Sequence, residues 1–259
     1  LVVIAVTGKG GTGKTVISAL LIHFLSRNHN LLAVDADPDS NLPEALGVKP
    51  KNTLGEVREV FQLSRDEMGT MDKEQWLEGK IYSEAITEAE RFDLLVMGRP
   101  EGEGCYCFAN SLLKGVLRKL MRHYDVIVID AEAGLEHFSR GTISGADYII
   151  VVTDMSKKGL STAKRIKELS SELKLNFKKI FLVGNRIMDG GDVIKKFSDE
   201  EGIELLDLLP YTEDITELDL KGEPIVLLDE NSDYAERVRR IAAKLVGDGN
   251  GKDDDRSVF

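Results

Sequence analysis

A chain of 259 residues is long enough to bury a substantial core, as one large α/β domain or two small ones. Its 45 acidic residues against 34 basic ones leave a formal net charge of −11 with no Lys/Arg-rich block to offset it, so neither nucleic acid nor an anionic membrane is an expected partner. No run of about 18 apolar residues is present to span a bilayer, and the two cysteines, Cys105 and Cys107, make no disulfide framework, so a cytoplasmic setting is expected.

In chain order, Leu1–Val6 is apolar throughout and reads as a buried strand rather than a signal peptide. It leads into Gly8-Lys9-Gly10-Gly11-Thr12-Gly13-Lys14-Thr15, a full match to G-x-x-x-x-G-K-[ST]. The amphipathic stretch Val16–Leu25 follows, so the motif has the strand–loop–helix setting that its chemistry needs. Glycines let the backbone wrap a phosphate with its N–H groups inward, and the helix start presents its positive dipole end to the same anion. Lys14 is then placed to neutralise the β- and γ-phosphates, and the Thr15 hydroxyl to ligate Mg²⁺.

A second strand, Leu31–Val34, ends on Asp35-Ala36-Asp37-Pro38-Asp39-Ser40. Between residues 49 and 90 the pattern is weakest: Leu54, Val57 and Phe61 indicate a short helix, and a second is expected over Ile81–Arg91. Phe92–Met97 reads as a strand. Ala109, Leu112, Leu113, Val116, Leu117 and Leu120 keep the rhythm of one buried helix face. Strand Asp125–Ile129 ends on Asp130, the Walker-B position, from which a carboxylate can hold Mg²⁺ through water. Tyr148–Val152, Ile180–Val183 and Leu205–Leu209 complete the strands. Helices are expected over Lys157–Leu173 and Ser232–Val246, the latter capped by Ser232 with Asp233. The polar, glycine-rich residues 247–259 are expected to be a disordered acidic tail. Strands apolar at nearly every position, alternating with helices, predict an α/β fold: a doubly wound, mostly parallel sheet flanked by helices, with a P-loop NTPase domain over residues 1–246. In such a fold the ligand site lies at the carboxyl ends of the strands.

The segment Gly104-Cys105-Tyr106-Cys107 carries different chemistry. In extended backbone, residues i and i+2 point the same way, so the two thiolates can serve one metal ion. Two ligands do not close a site, but a twofold dimer supplies four, a soft set suited to tetrahedral Zn²⁺ or square-planar Ni²⁺. The bland alternative is a pair of free, packed cysteines.

The loop Lys9-Gly10-Gly11-Thr12-Gly13-Lys14-Thr15 resembles the deviant phosphate loop of the MinD/ParA/nitrogenase-iron-protein class of dimeric ATPases. Within that class, Gly-Cys-Tyr-Cys…Asn110-Ser111 together with Asp130-x-x-Ala133-Gly134-x-Glu136-His137 is similar to the CooC-type accessory ATPases of nickel-dependent carbon monoxide dehydrogenase and acetyl-CoA synthase. The resemblance runs in order over roughly residues 1–246. It implies that Lys9 reaches across a nucleotide sandwich dimer to the partner's phosphates, stabilising charge as an arginine finger does. It implies that Asp37 orients or activates the attacking water, with Asp35–Ser40 as first switch. Asp130–Gly134 would be the second switch, with Gly134 sensing the γ-phosphate and Glu132 an added acidic group. Asn185 would meet the adenine edge, and Pro210-Tyr211 would wall the base pocket.

The function implied is an ATP- and Mg²⁺-dependent, homodimeric metallochaperone that inserts nickel into carbon monoxide dehydrogenase or a related nickel enzyme. Two other readings share the same loop. A positioning ATPase of the MinD/ParA sort, binding membrane or DNA rather than metal, would need a basic amphipathic helix or basic surface. An iron–sulfur reductase of the nitrogenase-iron-protein type would use two widely separated cysteines rather than this close pair. His137 is an additional candidate ligand or switch residue, whereas His23, inside an apolar helix pattern, reads as core.

Overall fold

The computed structural model describes residues 1–64, 72–98, 118–131, 146–172 and 177–247. Its strands are β1 (Val2–Gly8), β2 (Leu31–Ala36), β3 (Ile86–Glu88), β4 (Asp93–Val96), β5 (Val126–Ala131), β6 (Tyr148–Thr153), β7 (Lys179–Ile187) and β8 (Glu204–Pro210). They form one eight-stranded sheet in the order β3-β4-β2-β5-β1-β6-β7-β8, parallel throughout except that β3 runs antiparallel to β4. The doubly wound, mostly parallel architecture expected from the strand pattern is therefore present.

Alternation along β1 explains why both faces of the sheet are covered. Val3 and Ala5 enter one core, Ile4 and Val6 the other. The first core is closed by α3 (Leu54–Ser64), α4 (Lys73–Lys80), α5 (Lys157–Glu172) and α6 (Asp192–Glu201), through Val57, Phe61, Leu77, Ile166 and Ile194. The second is closed by α1 (Lys14–Leu25), α2 (Leu42–Leu46) and α8 (Asp233–Gly247). Helix α7 (Glu213–Lys221) follows β8. Helix α1 packs on the sheet with α8 alongside it, and Ile17, Leu20, Leu21 and Ile22 are all fully buried. Each contributes about 1.5–3 kcal/mol of hydrophobic stabilisation. That burial anchors the helix whose first turn carries the phosphate loop.

Ser232 does cap α8, its Oγ accepting the Ala235 N–H at 3.2 Å. The helix expected over Ile81–Arg91 is corrected. Residues Ile81–Ala85 form one π-turn that continues α4, and Ile86–Glu88 is the edge strand β3. Ile81, Ala85 and Ile86 are all buried. Their spacing also fits a helix face, so periodicity could not separate the two outcomes. Pairing decides it: Ile86, Thr87 and Glu88 lie opposite Leu95, Leu94 and Asp93, and Thr87 Oγ1 accepts the Lys51 N–H at 2.8 Å. Helix α4 has one buried residue, Leu77, and starts where Asp72 accepts the N–H groups of Glu74 and Gln75. Among the described residues, no helix is long and apolar enough to cross a membrane.

Candidate nucleotide site

β1 stands where the chain's course divides, with β5 on one side and β6 on the other, and the phosphate loop leaves its carboxyl end. Two glycines there are demanded by space. A Cβ on Gly8, at φ 142, would strike the Val152 carbonyl of the neighbouring strand, and one on Gly13, at φ 89, would strike the Asn185 amide. Gly13 begins α1 in left-handed conformation, with no side chain capping the helix. The N–H groups of the first turn are thus left for an anion. Thr12 Oγ1 donates to the Lys9 carbonyl at 2.8 Å, closing the turn of the loop. Lys14, at the first position of α1, is 8% exposed and faces the cleft.

A brace holds the loop from below. Asn185, two residues before the end of β7, donates its amide to the Thr12 carbonyl at 2.8 Å. Its Oδ1 accepts the Tyr234 hydroxyl at 3.0 Å and the Arg186 N–H at 2.9 Å. The amide thus ties the phosphate loop to β7 and α8. Tyr234 has no sequence motif and is invisible until α8 is packed.

Two aspartates end adjacent strands. In the β2–β5 register Asp35 lies opposite Asp130, and both are buried. Asp130 accepts the Thr15 hydroxyl at 2.7 Å and the Ser18 hydroxyl at 2.9 Å. Burial pushes its carboxyl up to about 6, against the opposing pull of those hydroxyls and of Lys14. Ser18 went unread in the sequence, although it stands three residues after Thr15 on the same helix face. Asp35 accepts the N–H groups of Asp37 and Leu42, both at 3.0 Å, and so pins the Asp35–Ser40 loop from within. Burial pushes Asp35 up to about 7, with the Asp130 and Asp37 charges adding to the shift. Asp37 accepts the Asp39 N–H at 3.0 Å and faces the cleft. Ser40 is held at φ 50, left-handed backbone that a non-glycine residue enters at a cost, stored in the loop beside the phosphates.

Gly10, Gly11, Gly13, Lys14, Thr15, Asp37, Asn185 and Pro210 come together around one cleft of about 800 Å³. Tyr211, Ile215 and Ile225 add an apolar flank suited to a planar base. The Thr15 hydroxyl and the Asp130 carboxylate are hard oxygen donors side by side, a set that fits Mg²⁺. Lys9 is directed elsewhere: its Nζ pairs with Asp154 at 3.8 Å, and it lines a separate concavity on α5. The Asp154 carboxyl is held below the ordinary aspartate range by Ser156 and Lys9, against its partial burial. Cys105, Cys107, Glu132, Gly134 and His137 lie outside the described residues. Among the described residues, no group of three or more His, Cys, Asp or Glu side chains is arranged to hold a metal ion. His23 is half-buried, its Nε2 2.9 Å from Glu230 and 2.8 Å from Arg27.

A phosphate loop on a buried helix, a hydroxyl–carboxylate pair beside it and a braced cleft at the sheet's switch point define a P-loop nucleotide-binding protein. The family model of the CobQ/CobB/MinD/ParA nucleotide binding domain matches residues 3–225. An uncharacterized ATP-binding protein of Methanocaldococcus jannaschii is 48% identical over 249 residues, covering 94% of this chain and 98% of that protein. The carbon monoxide dehydrogenase accessory protein CooC of Rhodospirillum rubrum is 32% identical over 231 residues, 85% of this chain and 87% of that one. Among solved structures, the MinD cell division protein of Aquifex aeolicus shares the fold with a TM-score of 0.69 at 22% identity, over 99% of this chain and 100% of that one. The chain belongs to the CobQ/CobB/MinD/ParA nucleotide-binding family, and it is an ATPase.

Proposed function

We propose that this ATPase is a cytoplasmic, homodimeric maturation factor that loads nickel into carbon monoxide dehydrogenase, acetyl-CoA synthase or a related nickel enzyme. The observation that carries the proposal is the pair Cys105 and Cys107, in a chain 32% identical to a carbon monoxide dehydrogenase accessory protein. In this reading the N–H groups of Gly10–Thr15 and the Lys14 ammonium hold the β- and γ-phosphates, while Asn185 and Pro210 flank the adenine. Thr15 and Asp130 hold Mg²⁺, which when bound neutralises phosphate charge. Asp37 orients a water for attack on the γ-phosphorus. The bridging P–O bond breaks, and ADP and inorganic phosphate leave. Lys9 acts on the phosphates of the partner protomer, and Gly134 senses whether the γ-phosphate is present.

The metal is cargo. Each protomer contributes two thiolates, so a dimer offers four to one Ni²⁺ or Zn²⁺. ATP binding assembles that site; hydrolysis removes the γ-phosphate contacts and releases the metal to the client. The test is a Cys105→Ala/Cys107→Ala protein, assayed by metal analysis and nucleotide titration. It is expected to lose stoichiometric Ni²⁺ and Zn²⁺ binding while keeping ATP affinity within about threefold. Metal retained by that variant sinks the proposal. Iron and sulfide in anaerobically purified wild-type protein would move the reading to an electron-transfer ATPase.

A further inference from the structure

Lys9, Lys157, Lys158, Ser161, Thr162 and Arg165 line a concavity of about 390 Å³, separate from the nucleotide cleft. Residues 158, 161, 162 and 165 keep the i, i+3, i+4, i+7 spacing of one α5 face. No carboxylate is among the lining residues, in a chain whose formal net charge is −11. Other surface lysines are neutralised nearby: Lys164 by Glu201 at 2.8 Å, Lys195 by Asp192 at 3.1 Å, Lys244 by Glu204 at 2.6 Å. Lys157, Lys158 and Arg165 are exposed and have no ion-pair partner among the described residues. Uncompensated like charges on one helix face repel, so this face gains from an anionic partner.

The lining of the nucleotide cleft is acidic on balance: Glu44, Asp219 and Glu223 line it, all three exposed and without an ion-pair partner among the described residues, against one exposed cation, Arg186. The two patches meet at the phosphate loop, where Lys9 belongs to one and its neighbours Gly10 and Gly11 to the other. Any contact between the two patches across a twofold axis is made twice over.

We propose that the cationic face of α5 docks against the acidic cleft rim of a second copy of this chain. Lys157, Lys158 and Arg165 orient the approach that carries Lys9 to the partner's nucleotide. The inference rests on the homodimer reading above and supplies the contacts that would direct it. Exposed charge pairs of this kind act over a Debye length of about 8–10 Å, so association should be salt-sensitive.

A charge-swap experiment tests it. One variant carries Lys157→Glu, Lys158→Glu and Arg165→Glu; the other carries Asp219→Lys and Glu223→Lys. Each is melted and titrated with a fluorescent ATP analogue, then examined by sedimentation with Mg²⁺ and a non-hydrolysable ATP analogue. Wild-type protein is expected to associate and to weaken by about tenfold between low and moderate salt. Each variant alone should lose self-association by about tenfold or more, and an equimolar mixture should regain it, because both contacts in the mixed dimer are of opposite sign. A folded, nucleotide-binding cationic-face variant that dimerises as wild type does overturns the inference while leaving the homodimer reading intact. So does a mixture that stays monomeric. Wild-type protein that never associates overturns the homodimer reading itself. Retention of double-stranded DNA or anionic vesicles by the α5 face, with self-association untouched by the reversal, assigns the face to another partner and also overturns it.

Discussion

Asp35 and Asp130 sit opposite each other at the carboxyl ends of β2 and β5, buried beside the same loop. Their carboxyls titrate at about 7 and about 6, above the ordinary aspartate value of 3.8. A raised folded-state pKa means that folded protein binds these protons more tightly than the unfolded chain. Between roughly pH 4 and pH 7, stability therefore falls as pH rises. Nucleotide-free protein is expected to melt several degrees higher at pH 5 than at pH 7.5, since each kcal/mol moves a domain of this size by about 2–4 °C. Asp35→Asn should flatten that slope in a pH series of thermal melts; an unchanged slope would contradict the assignment. Glu230 works in the opposite sense, held down at about 2 by Arg27 and His23. Its contribution is present above the ordinary glutamate value of 4.5 and is lost as pH falls toward 2, so the two windows meet only near pH 4.

At the scale of elements, the phosphate loop depends on what lies under it. The Asn185 amide joins β7 to the loop, and Tyr234 on α8 holds that amide. Tyr234 is buried and its hydroxyl is pushed above the ordinary phenol range, chiefly by that burial. Tyr234→Phe removes one buried hydrogen bond and is expected to cost about 1 kcal/mol of stability. The freed amide should loosen the loop and weaken ATP binding by about three- to tenfold, readable by urea melts and nucleotide titration. A variant with wild-type affinity would show that the brace is structural alone. The strands were legible in the sequence because both faces of the sheet are covered, which leaves continuous apolar runs. β3 and α4 were not, because three residues of edge strand and a helix with one buried leucine carry too little pattern.

For the molecule as a whole, Lys9 separates a self-sufficient ATPase from one completed by a partner. In the single protomer it is turned to Asp154 and lines the α5 concavity rather than the cleft. Under the homodimer proposal, specific ATPase activity should rise with protein concentration. Lys9→Ala should lower kcat by about 10³-fold, in line with an arginine-finger loss, with nucleotide affinity nearly unchanged. A concentration series of steady-state rates for both proteins checks this. Activity independent of concentration in wild type, or spared in the variant, would remove Lys9 from the chemistry.

What the amino-acid order determined by itself is local: the phosphate loop and its helix, the aspartates at strand ends, the apolar strands and the close cysteine pair. Each rests on backbone conformation or on residues a few positions apart, where spacing translates directly into geometry. Only the tertiary structure decided which distant groups meet. Tyr234 is set against Asn185 and that amide against Thr12, Ser18 and Thr15 turn to Asp130, and Lys9 faces Asp154. Those contacts join segments up to 173 residues apart. They arise from how helices close over the two faces of the sheet, a choice made by burial and complementary charge that no local pattern records.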